Sequence, residues 1–312
     1  MKVLIIDNTH PLLNEKLTAM GFTCMPFTGS SIEDMMSIIN EYTGIIIRSK
    51  FAIDKTIIDK ATKLKFIGRV GSGMESIDVA YAEKKGIACL NSPEGNRDAV
   101  GEHTLGLLLC LLNKIAFADS QIRKGIRQRE ANRGVEIKGK TVAIVGYGNM
   151  GSAFAKCISG FGASVIAYDK YKKNYSDVYV RETSLENIFE NADIISLHVP
   201  LNKETHYMVD ESFIDKVKKN FYLINTSRGQ VVRTDALTDA LAKGKILGAA
   251  LDVIEYESIS FEKLENAKLP IAYNYLIKSE KVVMTPHVAG WTNESKIKLV
   301  EVLAEKIKSL IL

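Results

Sequence analysis

The chain has 312 residues, 46% hydrophobic and 25% charged, which supplies apolar material for two cores and argues for about two domains. Its formal charge of +4, from 41 basic and 37 acidic side chains without a long basic run, disfavours nucleic acid and suits small anions. Cys24, Cys89, Cys110 and Cys157 lie far apart with no metal-ligand spacing and read as reduced thiols. "MKVLIID" is too short for a signal-peptide core and "LGLLLCLL" (105–112) too short for a membrane span, so a soluble cytoplasmic protein is expected, with no membrane or metal.

Short β-branched runs alternate with helical patterns, the mark of parallel sheets with crossover helices. A first set comprises 2–7, 44–49, 64–70 and 87–91; a second comprises 141–146, 164–169, 193–199, 221–227, 247–253 and 282–286. Nearly all are apolar throughout, as strands covered on both faces should be. Between the sets, Asp98 opens a long helical stretch as its N-cap. The segment 292–311 is amphipathic, with Ile297, Val300, Leu303, Ile307 and Leu310 on one face.

Gly146, Gly148 and Gly151 in "TVAIVGYGNMGSAFAK" have GxGxxG spacing after a strand and at the start of a helix, and the next strand ends at Asp169. A lone GxGxxG is weak evidence; this setting makes it specific. Gly146 permits the tight turn, Gly148 lets a pyrophosphate approach the backbone, and Gly151 allows close helix packing, with the helix amides facing the phosphates. Asp169 is placed to accept from the ribose hydroxyls and to repel a 2′-phosphate, favouring NAD over NADP, although Lys170, Lys172 and Lys173 soften that preference.

In an open α/β sheet, ligands bind at the carboxyl ends of the strands, which gathers Asp169, His198, Arg228, Asp252 and His287 along one edge. Arg228, in "INTSRGQVV", ends an apolar strand with an always-charged fork; alone it reads as a surface arginine, but beside a dinucleotide it suits a substrate carboxylate. His287, in "TPHVAG", is the best proton donor and acceptor of the five histidines, and Glu257 is its candidate partner. His10 reads as exposed, His206 as polar loop, His103 as structural, and His198 as lining the cofactor cleft.

The ordered set GYGNMG, Asp169, "LHVPLNKETHYMVD", "NTSRGQVV", "ALDV" with Glu257, and "TPHVAG" resembles the D-isomer-specific 2-hydroxyacid dehydrogenases, most of all the phosphoglycerate dehydrogenase branch. The resemblance spans essentially the whole chain. It implies two Rossmann-like or flavodoxin-like parallel-sheet domains: a discontinuous substrate domain (1–97 and 288–312) and an inserted NAD domain (98–287). It implies Arg228, Glu257 and His287 as catalytic residues. It also implies cofactor contacts from Asn149, Met150, His198, Pro200, Thr205, Thr226, Ser227, Asp252 and Gly290. Arg48, Ser49, Ser72 and Gly73 match substrate positions, and a homodimer through 98–137 is implied.

The chain departs from the family pattern at Ser258, where proline is usual, in the longer Glu257-to-His287 spacing, and at Trp291, a position usually held by a small residue. The extra segment "NAKLPIAYNYLIKSE" is expected to form a short helix near the cleft, and Trp291 either narrows the active site or packs against the returning chain. With no C-terminal regulatory domain in the sequence, serine feedback through one is not expected. The expected reaction interconverts 3-phosphoglycerate and 3-phosphohydroxypyruvate with NAD; alternatives are a glyoxylate or hydroxypyruvate reductase and a non-catalytic, NADH-sensing protein like the corepressors of this fold.

Overall fold

A computed structural model of the chain describes residues 1–257 and 270–311. It divides into two compact units, residues 1–97 with 291–312 and residues 98–290. Residues 288–290, assigned above to the substrate domain, fall in the second unit because the backbone N–H groups of Val288 and Ala289 donate to Asp252.

The first unit runs β1 (Lys2–Ile5), α1 (Leu12–Ala19), β2 (Thr23–Pro26), α2 (Ile32–Ile38), β3 (Gly44–Ile47), α3 (Lys55–Lys60), β4 (Phe66–Arg69), α4 (Val79–Lys84) and β5 (Ala88–Leu90). Its all-parallel sheet has the flavodoxin-like order β2-β1-β3-β4-β5. Strand β2 was not foreseen: "TCMP" is a mostly exposed edge strand ending in proline and shows no apolar run. Successive side chains alternate between faces. Leu4, Ile45, Ile47 and Ile67 pack with Met35, Ile57 and Ala82 of the helices on one side. Val3, Ile46 and Phe66 pack on the other side with Leu13, Leu17 and the chain's last helix, Asn293–Ile311. That helix buries Val300, Leu303 and Ile307, whereas Ile297 and Leu310 stay exposed, so the apolar stripe is narrower than the spacing suggested. Asp54 and Asp78 accept from the third residue of α3 and α4, and Ser31 with Asp34 forms a capping box on α2.

The second unit contains α5 (Arg97–Leu112), α6 (Ile115–Arg123), β6 (Thr141–Val145), α7 (Asn149–Ile158), β7 (Ser164–Tyr168), β8 (Arg181–Glu182), α8 (Leu185–Asn191) and β9 (Ile194–Leu197). It continues with α9 (Glu211–Lys216), β10 (Phe221–Asn225), α10 (Thr234–Lys243), β11 (Ile246–Leu251), α11 (Ile271–Lys278) and β12 (Val282–Met284). The order β12-β11-β10-β9-β6-β7-β8 is all parallel, doubly wound, with the chain reversing direction at β6. Val142, Ile144, Ile224 and Ala250 face α5 and α7, and Ala143, Ile195, Leu223 and Ala249 face α8 to α11. The long helix expected from Asp98 starts one residue earlier, so Asp98 lies in its first turn, and it breaks at Lys114, whose φ is +53°. No single helix among the described residues is long and apolar enough to cross a membrane. Ser258 and residues 266–269 of the extra segment lie outside the described residues, while Ile271–Lys278 form the expected short helix and bury Leu276.

A Cβ at Gly44 would lie 2.2 Å from the Phe66 ring. Gly44→Ala is therefore expected to cost about 1–3 kcal/mol. Adding Phe66→Leu should cost less than the sum of the two changes, because the smaller side chain vacates the space. Urea unfolding of both single variants and the double variant measures this, and strict additivity would exonerate the ring.

Candidate active site

The residues singled out from the second unit come from loops at the carboxyl ends of adjacent strands. Gly146 and Asp169 follow β6 and β7, His198 follows β9, Arg228 follows β10, Asp252 and Glu257 follow β11, and His287 follows β12. Sheet order therefore places a glycine turn beside an acid on one half and an arginine, a glutamate and a histidine on the other.

The glycine turn fits a dinucleotide. Gly146 has φ +94°, and a Cβ there would meet the His198 carbonyl oxygen at 2.4 Å; one on Gly151 would meet the Gly146 oxygen at 2.1 Å. At Gly148 a Cβ would meet nothing within 4 Å, so the space before α7 is open. No side chain caps α7, which leaves its first amides, Asn149 and Met150 among them, available to an anion. Asp169 accepts from the N–H groups of Tyr147 (2.9 Å), Tyr171 (3.0 Å) and Lys172 (3.0 Å). Burial alone would raise its carboxyl, but these three donors hold it below the usual carboxylate range.

His198 follows β9. Its ring packs near Phe154 with centroids 5.5 Å apart, Nε2 bonds to Ser196 Oγ at 2.8 Å, and the residue keeps partial exposure. Desolvation pushes it down to about 3, so the ring is neutral, and what His198 offers the glycine turn is its backbone oxygen. Thr205 Oγ1 donates to the Pro200 carbonyl at 2.6 Å and shapes that loop. His10 is half-buried rather than exposed, its Nδ1 accepting from the Leu12 N–H.

On the other half, Arg228 leaves β10 through a crook held by Asn225. Asn225 Oδ1 accepts from the Ser227 N–H (3.0 Å) and hydroxyl (2.7 Å), and its Nδ2 donates to the Arg228 carbonyl. The Arg228 guanidinium donates to the Ser227 carbonyl at 2.7 Å and is half-buried. Gly229 is required: a Cβ there would sit 1.8 Å from the Ile254 oxygen, which brings the arginine loop against the turn carrying Glu257. Glu257 accepts from the Ile254 N–H at 2.9 Å through Oε1, and its Oε2 lies 2.8 Å from His287 Nδ1. His287 is a non-glycine residue at φ +55°, a strained backbone that its surroundings must impose.

Asp252 imposes it. The residue is 1% exposed; its carboxylate accepts from the Thr285 hydroxyl (2.6 Å) and from Val288 N–H (2.9 Å) and Ala289 N–H (2.8 Å), and its own carbonyl accepts from the His287 N–H (2.8 Å). The hydroxyl proton of Thr285 is committed to Asp252, so Thr285 Oγ1, 3.1 Å from His103 Nε2, accepts from a proton on that nitrogen. His103, read above as merely structural, thus joins the site, and Thr104 Oγ1 lies 3.1 Å from Thr226 Oγ1. The role of His103, and Thr104 and Thr285 altogether, were missed because their partners are distant in sequence; the strand-end position of Thr285 was the one available signal.

The substrate positions lie in the first unit. Asn96 Oδ1 accepts from the Ser72 hydroxyl at 2.5 Å, and the Ser72 carbonyl accepts from Asn91 Nδ2 at 2.6 Å, so the turn holding Ser72 and Gly73 is tied down. Arg48, next to Ser49, is half-buried; its N–H donates to Asp7, and its guanidinium lies 5.2 Å from the ring centre of Trp291, itself 70% exposed.

A glycine turn, an acid at the next strand end and a carboxylate-held histidine on a doubly wound sheet define a dinucleotide-dependent oxidoreductase type of site. The comparisons are more specific. Residues 105–289 match the NAD-binding domain of the D-isomer specific 2-hydroxyacid dehydrogenases, and the chain belongs to that family. It is 32% identical over 315 residues to D-3-phosphoglycerate dehydrogenase of Archaeoglobus fulgidus, covering 99% of this chain and 57% of the relative. It is 34% identical over 275 residues to hydroxypyruvate reductase of Thermotoga maritima, covering 88% and 87%. The solved D-lactate dehydrogenase of Aquifex aeolicus with NAD and lactic acid superposes with a TM-score of 0.85 at 29% identity, covering 99% and 95%. The chain spans just over half the length of the phosphoglycerate dehydrogenase it matches.

Asp252 supplies a test of this construction. Burial would raise its carboxyl, but its His103, Thr285, Ala289 and Val288 partners hold it below the usual range. A depressed folded value contributes stability that is present above the unfolded value of ~4 and is lost as pH falls through the folded one. Asp252→Asn should therefore cost about 1–3 kcal/mol at neutral pH. The gap from the parent should close as pH falls from ~4 through the depressed folded value, where the parent also loses its carboxylate; urea unfolding at several pH values measures it.

Proposed function

We propose that this chain is an NAD-dependent D-2-hydroxyacid dehydrogenase in which Arg228, Glu257 and His287 perform the chemistry. The observation that carries this reading is the 2.8 Å contact of Glu257 with His287 Nδ1 in a loop strained to φ +55°, beside the Arg228 crook. With Nδ1 committed to Glu257, Nε2 of His287 is the atom left to hold a proton. In the reducing direction that proton goes to the oxygen of the substrate carbonyl; in oxidation Nε2 takes it from the hydroxyl. Arg228 binds the carboxylate in a two-point contact and draws charge from the adjacent carbonyl, and Glu257 stabilises the imidazolium. The chemistry a nicotinamide cofactor would supply here is hydride transfer to or from the substrate's second carbon. Gly148 and the first turn of α7 would hold its pyrophosphate and Asp169 its ribose, with Thr226, Ser227 and Gly290 as further contacts.

For the substrate, 3-phosphohydroxypyruvate and 3-phosphoglycerate are favoured. Arg48 is a half-buried cation that no carboxylate among the described residues pairs with, and a cation so placed suits a distal phosphate. This would put the reaction in serine biosynthesis. A second reading, a reductase of small 2-oxo acids such as glyoxylate or hydroxypyruvate, is favoured by the Trp291 ring lying over that guanidinium. A homodimer through 98–137 is supported by Ile115, Ile122 and Ile126, exposed at 54%, 56% and 40% around α6.

The testing experiment is NADH oxidation with 3-phosphohydroxypyruvate, hydroxypyruvate, glyoxylate and pyruvate at matched concentrations. Arg228→Ala is expected to lower kcat/KM at least ~100-fold for whichever acid is best. Arg48→Ala should cost more with the phosphorylated acid than with pyruvate. Reduction of none of them, despite tight NADH binding, would favour the NADH-sensing reading.

A further inference from the structure

Three lysines follow Asp169, and how each is engaged bears on the choice between NAD and NADP. Lys172 Nζ turns back and donates to the Tyr147 carbonyl at 2.8 Å, within the glycine turn itself. Lys170 Nζ lies 2.7 Å from Glu204 Oε1, and the Tyr171 hydroxyl donates to Glu204 Oε2 at 2.5 Å. Only Lys173 has no such engagement among the described residues. Glu204 belongs to the loop after β9, and Lys170 and Tyr171 to the loop after β7; the two strands flank β6 in the sheet. The glutamate therefore reaches across the end of the strand that carries the glycine turn.

We infer that Glu204 is a specificity-determining residue for the cofactor, holding Lys170 and Tyr171 away from the position that a 2′-phosphate would occupy beside Asp169. A 2′-phosphate brings up to two negative charges to the ribose edge that Asp169 marks. Its natural countercharge is the lysine next in sequence. In this chain that lysine is already neutralised by a carboxylate from a neighbouring loop. The lysines that would soften Asp169's preference are thus largely spent inside the protein. The inference rests on the dinucleotide site and is independent of which acid is the substrate.

The test is direct binding, with NADH and NADPH titrated separately into the purified chain and followed by nicotinamide fluorescence, without substrate. Glu204→Gln, which removes the charge and keeps a partner for Tyr171, is expected to narrow the ratio of the NADPH to NADH dissociation constants by about 3- to 5-fold, the scale of an exposed charge contact. The effect should shrink in 1 M salt. Lys170→Ala added to Glu204→Gln should abolish the gain. An unchanged ratio in Glu204→Gln, or a gain that survives the loss of Lys170, would overturn the inference. Turnover assays play no part in either outcome, so a mistaken substrate leaves the result intact.

Discussion

The second unit's active end depends on one buried carboxylate. Asp252, at the end of β11, converts the loop after β12 from a strained excursion into a fixed turn by accepting two of its backbone N–H groups and the Thr285 hydroxyl. A buried charge is expensive unless hydrogen-bonded, and this one is bonded through both oxygens. His287 keeps its left-handed backbone because the atoms on both sides of it are held by the same residue. Without that clamp the histidine would relax to an ordinary φ, and the alignment of its ring with Glu257 would go with it.

The second constraint is steric. Gly229 lets the arginine loop lie directly against the Ile254 carbonyl, where any side chain would collide. Glu255 braces the same turn from its other side, one oxygen taking the Tyr207 hydroxyl and the other the Thr234 N–H at the start of α10. The guanidinium and the glutamate are thus coupled through backbone contact and a carboxylate brace. A catalytic group placed loosely by even a small distance loses much of its effect, so bracing on rigid elements matters as much as residue identity.

Much of this was legible in the sequence, for identifiable reasons. The β-branched runs of both sheets, the glycine spacing and the strand-end positions of Asp169, Arg228 and His287 all follow local rules of periodicity and turn chemistry. What local rules miss is whatever depends on a distant partner or on little burial. Strand β2 is exposed and ends in proline, and β8 is only Arg181–Glu182. The break at Lys114 has no glycine or proline to announce it. His103 reads as an ordinary helix residue until Thr285 and Asp252 are brought to it, and His198 lies in a cofactor motif yet turns its ring inward onto Ser196 and Phe154.

These exceptions are not scattered at random. His287 at positive φ, the fully buried Asp252 and the neutral His198 all lie just beyond strand carboxyl ends, whereas the strands behind them are buried and regularly paired apart from one register shift at Phe221–Tyr222. A chain can sustain local departures of this kind only where the surrounding structure over-determines them, and two fully parallel sheets with both faces covered supply that support. The same logic extends to the outer edge of the site. The ion pair of Lys170 with Glu204 is exposed and weak as a source of stability, so its presence is better understood through what it withholds from a ligand than through what it adds to the fold.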